Sequence, residues 1–199
     1  NKIIRVTGEL NEHGKPGMFG HVSELQWHCN RVSDPDRKPI IWLYAKKGSK
    51  GSRTSWLNNV LSYNDLSMEI KNKIQSLKLN VGNVQEFINY YNGEKYVPKD
   101  ITGYRPNLVH TNALGITGLF FSWTQTHFIE NMPKDEGRDL IKYLQHHCEN
   151  EKYIYNHDWE DGDIVISDQW LSIHKRWEFQ HMDKRVLHRI ACDYSNIFN

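Results

Sequence analysis

The stretch Trp159-Glu160-Asp161-Gly162-Asp163-Ile164-Val165-Ile166-Ser167-Asp168-Gln169-Trp170-Leu171-Ser172-Ile173-His174 decides how the chain is read. Gly162-Asp163 is a turn signal, residues 164–166 are apolar and β-branched, and a second short strand begins around Leu171 to His174. A histidine is thereby delivered from a sheet. Fifteen residues on, Arg189 in Arg185-Val186-Leu187-His188-Arg189 brings a guanidinium from the next strand along. Arg185 lies four residues before Arg189, and in a strand this even spacing puts both on one face. Upstream, Trp27-His28-Cys29-Asn30 places His28 and Asn30 two apart, so an extended backbone points both side chains the same way. Two separated strands can therefore converge His28, Asn30 and His174 on one point.

Residues 3–6 read as a strand, and residues 39–45 (Pro-Ile-Ile-Trp-Leu-Tyr-Ala) as a strand buried on both faces. Residues 11–20 and 46–53 are loops by their Gly, Pro, Ser and charge content. One helix is predicted over residues 62–77, capped by Ser62, with Leu66, Ile70, Ile74 and Leu77 at spacings of three and four. Residues 108–110 and 117–122 flank the turn 112–115 as a hairpin. A second helix runs over residues 133–150, with Pro133 in its first turn and Leu140, Ile141 and Leu144 as its apolar face. Residues 153–155 and 186–191 read as further strands. By pattern alone this is an α+β chain rich in antiparallel sheet.

The 199 residues suit one domain with a proper core. Twenty-five Lys and Arg against 24 Asp and Glu leave a net charge of +1, so no global field draws the chain to nucleic acid or a membrane surface. A small-molecule substrate is expected instead. Aromatic and basic residues mix in residues 46–56 and 175–177, the only stretches that hint at a nucleic acid. Three cysteines without paired spacing fit reduced thiols in the cytoplasm. No apolar run has membrane-spanning length.

The pattern resembles the Fe(II)/2-oxoglutarate dioxygenases of the taurine dioxygenase (TauD/TfdA-like) family, from about Gly20 to Asp193. That family carries a His-x-Asp/Glu pair, a distal His and an Arg about fifteen residues beyond it. Gly51-Ser52-Arg53-Thr54-Ser55-Trp56 is also similar to its Gly-Gly-Asp-Thr turn. The resemblance implies a mainly β fold, a double-stranded β-helix (jelly roll) with helices packed on one sheet. It implies Fe(II) held by His28, Asn30 and His174, and 2-oxoglutarate as cosubstrate held by Thr54 and Arg189. Arg185 matches an arginine that grips an anionic substrate, with help in holding 2-oxoglutarate or a surface ion pair as equal alternatives, and Asp168 matches an aspartate six residues before the distal histidine. Residues 82–104 match an insertion that covers the substrate, a lid. Relatives carry several dozen residues before the segment that starts at Asn1, so an N-terminal segment is expected to be missing.

One ligand position departs from the family: its acidic residue is Asn30. Hydroxylation or desaturation ranks first. A non-catalytic jelly roll that binds or senses a 2-oxo acid is the alternative, and halogenation a minor one, because Asn fills the room that a halide would need.

Overall fold

The computed structural model describes residues 3–10, 12–14, 24–82, 104–179 and 184–194. Eight strands form two antiparallel four-stranded sheets. The first contains, in spatial order, β1 (Ile4–Thr7), β12 (Val186–Cys192), β3 (Ile40–Lys47) and β10 (Ile164–Asp168). The second contains β2 (Leu25–His28), β11 (Ser172–Arg176), β4 (Arg53–Asn58) and β9 (Ile154–Asp158). Strands β1 to β4, and again β9 to β12, alternate between the sheets, which is the winding of a double-stranded β-helix. The arginine strand is the next along the chain from the histidine strand, as expected from the sequence. β12 follows β11 in the chain but lies in the other sheet, so arginine and histidine meet across a cavity.

β3 is central in its sheet, and Ile40, Ile41, Leu43 and Ala45 are buried. Tyr44 corrects the expectation of burial on both faces: it is exposed, with its ring centroid 6.2 Å from that of His188. A small core of Ile41, Leu43, Ala45, Trp56, Trp159 and Leu187 fills the space between the sheets.

A larger core covers the other face of the second sheet, where Trp27, Leu57 and Ile173 pack with residues from the helices and from two short ribbons. The ribbons are β5 (Leu79–Val81) with β8 (Thr126–Ile129), and β6 (Val109–Thr111) with β7 (Thr117–Leu119). The expected hairpin is present as β6 and β7, where the Asn112 side-chain oxygen accepts from the amides of Leu114 and Ile116.

The single helix expected over residues 62–77 is instead two, α1 (Asn59–Asn64) and α2 (Met68–Ile74). Asn58 caps the first by accepting from the amides of Val60 and Leu61, which places Ser62 inside it, and Ser67 caps the second by accepting from Ile70. Two caps nine residues apart mark two starts. α3 (Lys134–Cys148) begins after Pro133, which stands at its N-cap rather than in its first turn. The lid expected over residues 82–104 lies outside the described residues except at Gly82 and Tyr104, as does most of the loop 11–20.

Candidate functional site

Antiparallel pairing of β2 with β11 sets His28 directly opposite His174, and opposed side chains share a face. Their ring centroids are 4.3 Å apart. His28 Nδ1 lies 2.6 Å from the Gln26 carbonyl oxygen. A carbonyl only accepts, so Nδ1 carries the proton and Nε2 keeps its lone pair. On the other side of β11, Trp56 of β4 opposes His174, with rings 6.4 Å apart and inclined by 26°. Burial lowers the pKa of His28, as do the cations Arg176 and Arg189; burial, then His28 and Arg189, hold His174 well below the usual range. Both rings are therefore neutral, the form in which imidazole ligates metals.

Asn30 reaches the same cavity by a route other than the expected extended one. β2 ends at His28, and the chain turns through residues 30–33 with Arg31 in the left-handed region at φ 55°. The Asn30 side-chain oxygen accepts from Arg189 Nη1 at 2.6 Å. Among the described residues no nearby acid replaces the missing carboxylate. Asp34 pairs with Arg31, and its Oδ1 accepts from the Asp36 amide. Among the described residues no Asp or Glu lines the cavity, and no group of three His, Cys, Asp or Glu could hold a metal ion.

The opposite wall is cationic. Arg185, Leu187 and Arg189 line the cavity from β12 and the residue before it. Arg185 is 2% exposed, its Nε has no hydrogen-bond partner among the described residues, and burial with Arg176 nearby lowers its pKa to about 10. Arg176 enters from β11, two residues after His174 and directly opposite Thr54. Thr54 Oγ1 accepts from the buried Trp159 indole at 2.9 Å. Since indole N–H can only donate, the Thr54 hydroxyl proton remains for an acceptor in the cavity.

His28, Asn30, Thr54, His174, Arg176, Arg185 and Arg189 share this cavity. Arg189, expected to hold a cosubstrate with Thr54, donates to Asn30 and acts on both imidazoles, whereas Arg176 lies opposite Thr54 and acts on both Arg185 and His28. Arg176 and Trp56 were not singled out from the sequence, although the spacing His174-x-Arg176 already placed the arginine on the histidine's face. Asp168 touches neither histidine. It accepts from the Trp170 amide at 2.8 Å, from Asn112 and from the Tyr194 hydroxyl, so it braces the turn between β10 and β11.

Neutral nitrogen donors at one end and guanidinium groups along the wall suit a divalent first-row metal and a multivalent anion respectively. Comparison with known proteins agrees with this chemistry. The family model of the taurine catabolism dioxygenase TauD, TfdA family matches residues 4–191. Pentalenolactone F synthase of Streptomyces arenae is 24% identical over 206 residues, covering 96% of this chain and 69% of that protein. The alpha-ketoglutarate-dependent 2,4-dichlorophenoxyacetate dioxygenase of Cupriavidus pinatubonensis is 29% identical over 192 residues, covering 94% and 66%. The crystal structure of AAD-2 in complex with Mn(II) and N-oxalylglycine superposes with a TM-score of 0.78 at 21% identity, covering 96% of this chain and 68% of that one. The chain spans about two thirds of the length of these proteins.

Proposed function

The chain belongs to the taurine catabolism dioxygenase TauD, TfdA family, and from that premise we propose that it is a single-domain, non-haem Fe(II)- and 2-oxoglutarate-dependent oxygenase. It hydroxylates or desaturates a small anionic substrate and releases succinate and CO2. The observation that carries this reading is one cavity in which two neutral imidazoles, His28 and His174, face a wall of arginines.

The residues suit the metal in kind. Imidazole nitrogens favour a metal such as Fe(II), and Asn30 offers an amide oxygen in place of the family's carboxylate. When bound, Fe(II) supplies the dioxygen chemistry that couples decarboxylation of 2-oxoglutarate to oxidation of a substrate C–H bond. The side chains supply position. The Gln26 carbonyl fixes the His28 ring, and Trp56 backs His174. Thr54 donates its hydroxyl proton, and Arg185 its fork, to the far carboxylate of 2-oxoglutarate. Arg189, which donates to Asn30, takes the acidic group of the substrate. This assignment exchanges the first roles expected for the two arginines; in its support, Arg176 lies opposite Thr54 and acts on Arg185, and Arg189 donates to Asn30.

An anionic substrate also accords with the relative named for 2,4-dichlorophenoxyacetate. Three basic residues of stretches 46–56 and 175–177 are paired within the chain, Lys47 with Glu9, Arg53 with Asp158 and Lys175 with Glu24, which supports a small molecule over a nucleic acid. Cys29, Cys148 and Cys192 are free and buried, which suits a cytoplasmic protein. No helix among the described residues is long and apolar enough to cross a membrane.

The test is anaerobic addition of Fe(II) and 2-oxoglutarate, followed by oxygen and a succinate assay. A weak visible charge-transfer band and succinate are expected. Succinate absent with a panel of small acids, despite the band, would leave a binding protein rather than an oxygenase.

A further inference from the structure

One row of side chains crosses the whole second sheet. Strand pairing sets His28 opposite His174, His174 opposite Trp56 and Trp56 opposite Tyr155, so the row runs from β2 to the edge strand β9 on one face. It begins at the imidazole pair and ends in solvent, since Trp56 is buried and Tyr155 is 58% exposed. The Trp56 ring centroid lies 6.4 Å from that of His174 and 6.4 Å from that of Tyr155. Rings so close exchange electrons readily. Trp159, 6.2 Å from Trp56, offers no exit, because it is 1% exposed and donates to Thr54.

The outer end of the row also has a place for a proton. The Tyr155 hydroxyl lies 3.1 Å from His157 Nδ1, and His157 Nε2 lies 3.1 Å from Asp163 Oδ2. A carboxylate only accepts, so Nε2 carries the imidazole proton and Nδ1 accepts from the phenol. The Glu160 amide donates to the same Asp163 oxygen at 2.8 Å. A phenol loses an electron more easily when a base at hydrogen-bond distance takes its proton at the same moment.

We propose that Trp56 and Tyr155 form a one-electron relay from the imidazole pair to the protein surface, with His157 as its proton acceptor. This rests on the proposed oxygenase reading, which supplies a strong one-electron oxidant, formed from dioxygen beside the imidazoles when no substrate is there to be oxidised. Trp56 gives that oxidant one electron. Tyr155 then returns one electron to the Trp56 radical cation and passes its hydroxyl proton to His157 Nδ1, which leaves a neutral tyrosyl radical beside an imidazolium paired with Asp163. A thiol in solvent restores the phenol by giving a hydrogen atom and becomes a thiyl radical, while His157 releases its proton to water. The net change is one electron from thiol to oxidant.

Pulse radiolysis with the azide radical, which oxidises tryptophan first, tests the relay in the whole metal-free protein. Indolyl absorption should give way to tyrosyl absorption at a rate independent of protein concentration. Tyr155→Phe removes only an exposed hydroxyl and should abolish the fastest phase of that conversion, as should Trp56→Phe; His157→Gln should slow it. A fastest phase unchanged in Tyr155→Phe overturns the relay, and one unchanged in His157→Gln overturns the proton acceptor. In a second arm the protein loaded with Fe(II) and 2-oxoglutarate meets oxygen without substrate, and radicals are read by electron paramagnetic resonance. A tyrosyl signal is expected that Tyr155→Phe abolishes; succinate formed with no such signal, or a signal that survives in Tyr155→Phe, overturns the proposal. A fast radiolytic phase lost in Tyr155→Phe without succinate from any acid would leave the relay standing and overturn the oxygenase, and succinate with an unchanged phase would do the reverse.

Discussion

A guanidinium that is 2% exposed, with a nitrogen lacking a hydrogen bond among the described residues, costs the ligand-free protein stability. Arg185→Met keeps the volume and removes the charge. Its ligand-free form should therefore be more stable, by about 1 to 4 kcal/mol on the scale of buried-ion replacements. The rise in melting temperature on adding 2-oxoglutarate should vanish with it. Thermal unfolding with and without 2-oxoglutarate measures both effects, and a destabilised variant that still responds to the ligand would remove Arg185 from the binding site. Much of this scale was legible in the sequence. His28, Asn30, Thr54, His174, Arg185 and Arg189 all line the one cavity. That Asn30 meets Arg189 was not legible, because Asn30 reaches it through a turn after β2 that the strand pattern does not record.

Gly48, in the turn after β3, shows how an element positions that arginine. It sits at φ 63°, and a Cβ there would collide with the Lys184 carbonyl carbon and oxygen. Gly48→Ala should cost about 2 to 4 kcal/mol through strain and the clash with backbone. It should also weaken 2-oxoglutarate binding, since the peptide that must move leads directly into Arg185. Urea unfolding and ligand titration test the two effects; full stability would mean that the turn yields without consequence. At α1, Asn58→Ala removes the acceptor for two backbone amides and should cost about 1 kcal/mol. The midpoint of urea unfolding would show it. The apolar spacing over residues 66–77 concealed the break between α1 and α2, since Leu66 and Ile74 both enter the larger core whether or not the helix is continuous.

At the scale of the whole molecule, the larger core holds two thiols that burial keeps protonated. The pKa values of Cys29 and Cys148 are each pushed up from 9.0 to about 11. Because the folded values lie above the unfolded ones, their stability contribution is full below pH 9 and is lost as the pH rises toward 11. The loss amounts to about 3 kcal/mol per thiol. Unfolding midpoints measured from pH 8 upward should fall through this window, and replacing both cysteines with alanine should flatten the fall. An unchanged slope would assign the alkaline loss to other groups. Both thiols should also resist thiol reagents at pH 8 until the protein is unfolded.

The sequence by itself determined the strand-rich C-terminal half, the hairpin around Asn112 and the set of residues that converge on the cavity. Those features depend on local alternation and turn chemistry, which neighbouring residues carry. Only the tertiary structure decided that β11 and β12 lie in different sheets, that Arg176 joins the cavity, and that Asn30 leaves the strand to meet Arg189. A strand's period records which way a side chain points and not which sheet it faces; that is set by crossings between sheets, whose contacts join residues more than a hundred positions apart in the chain.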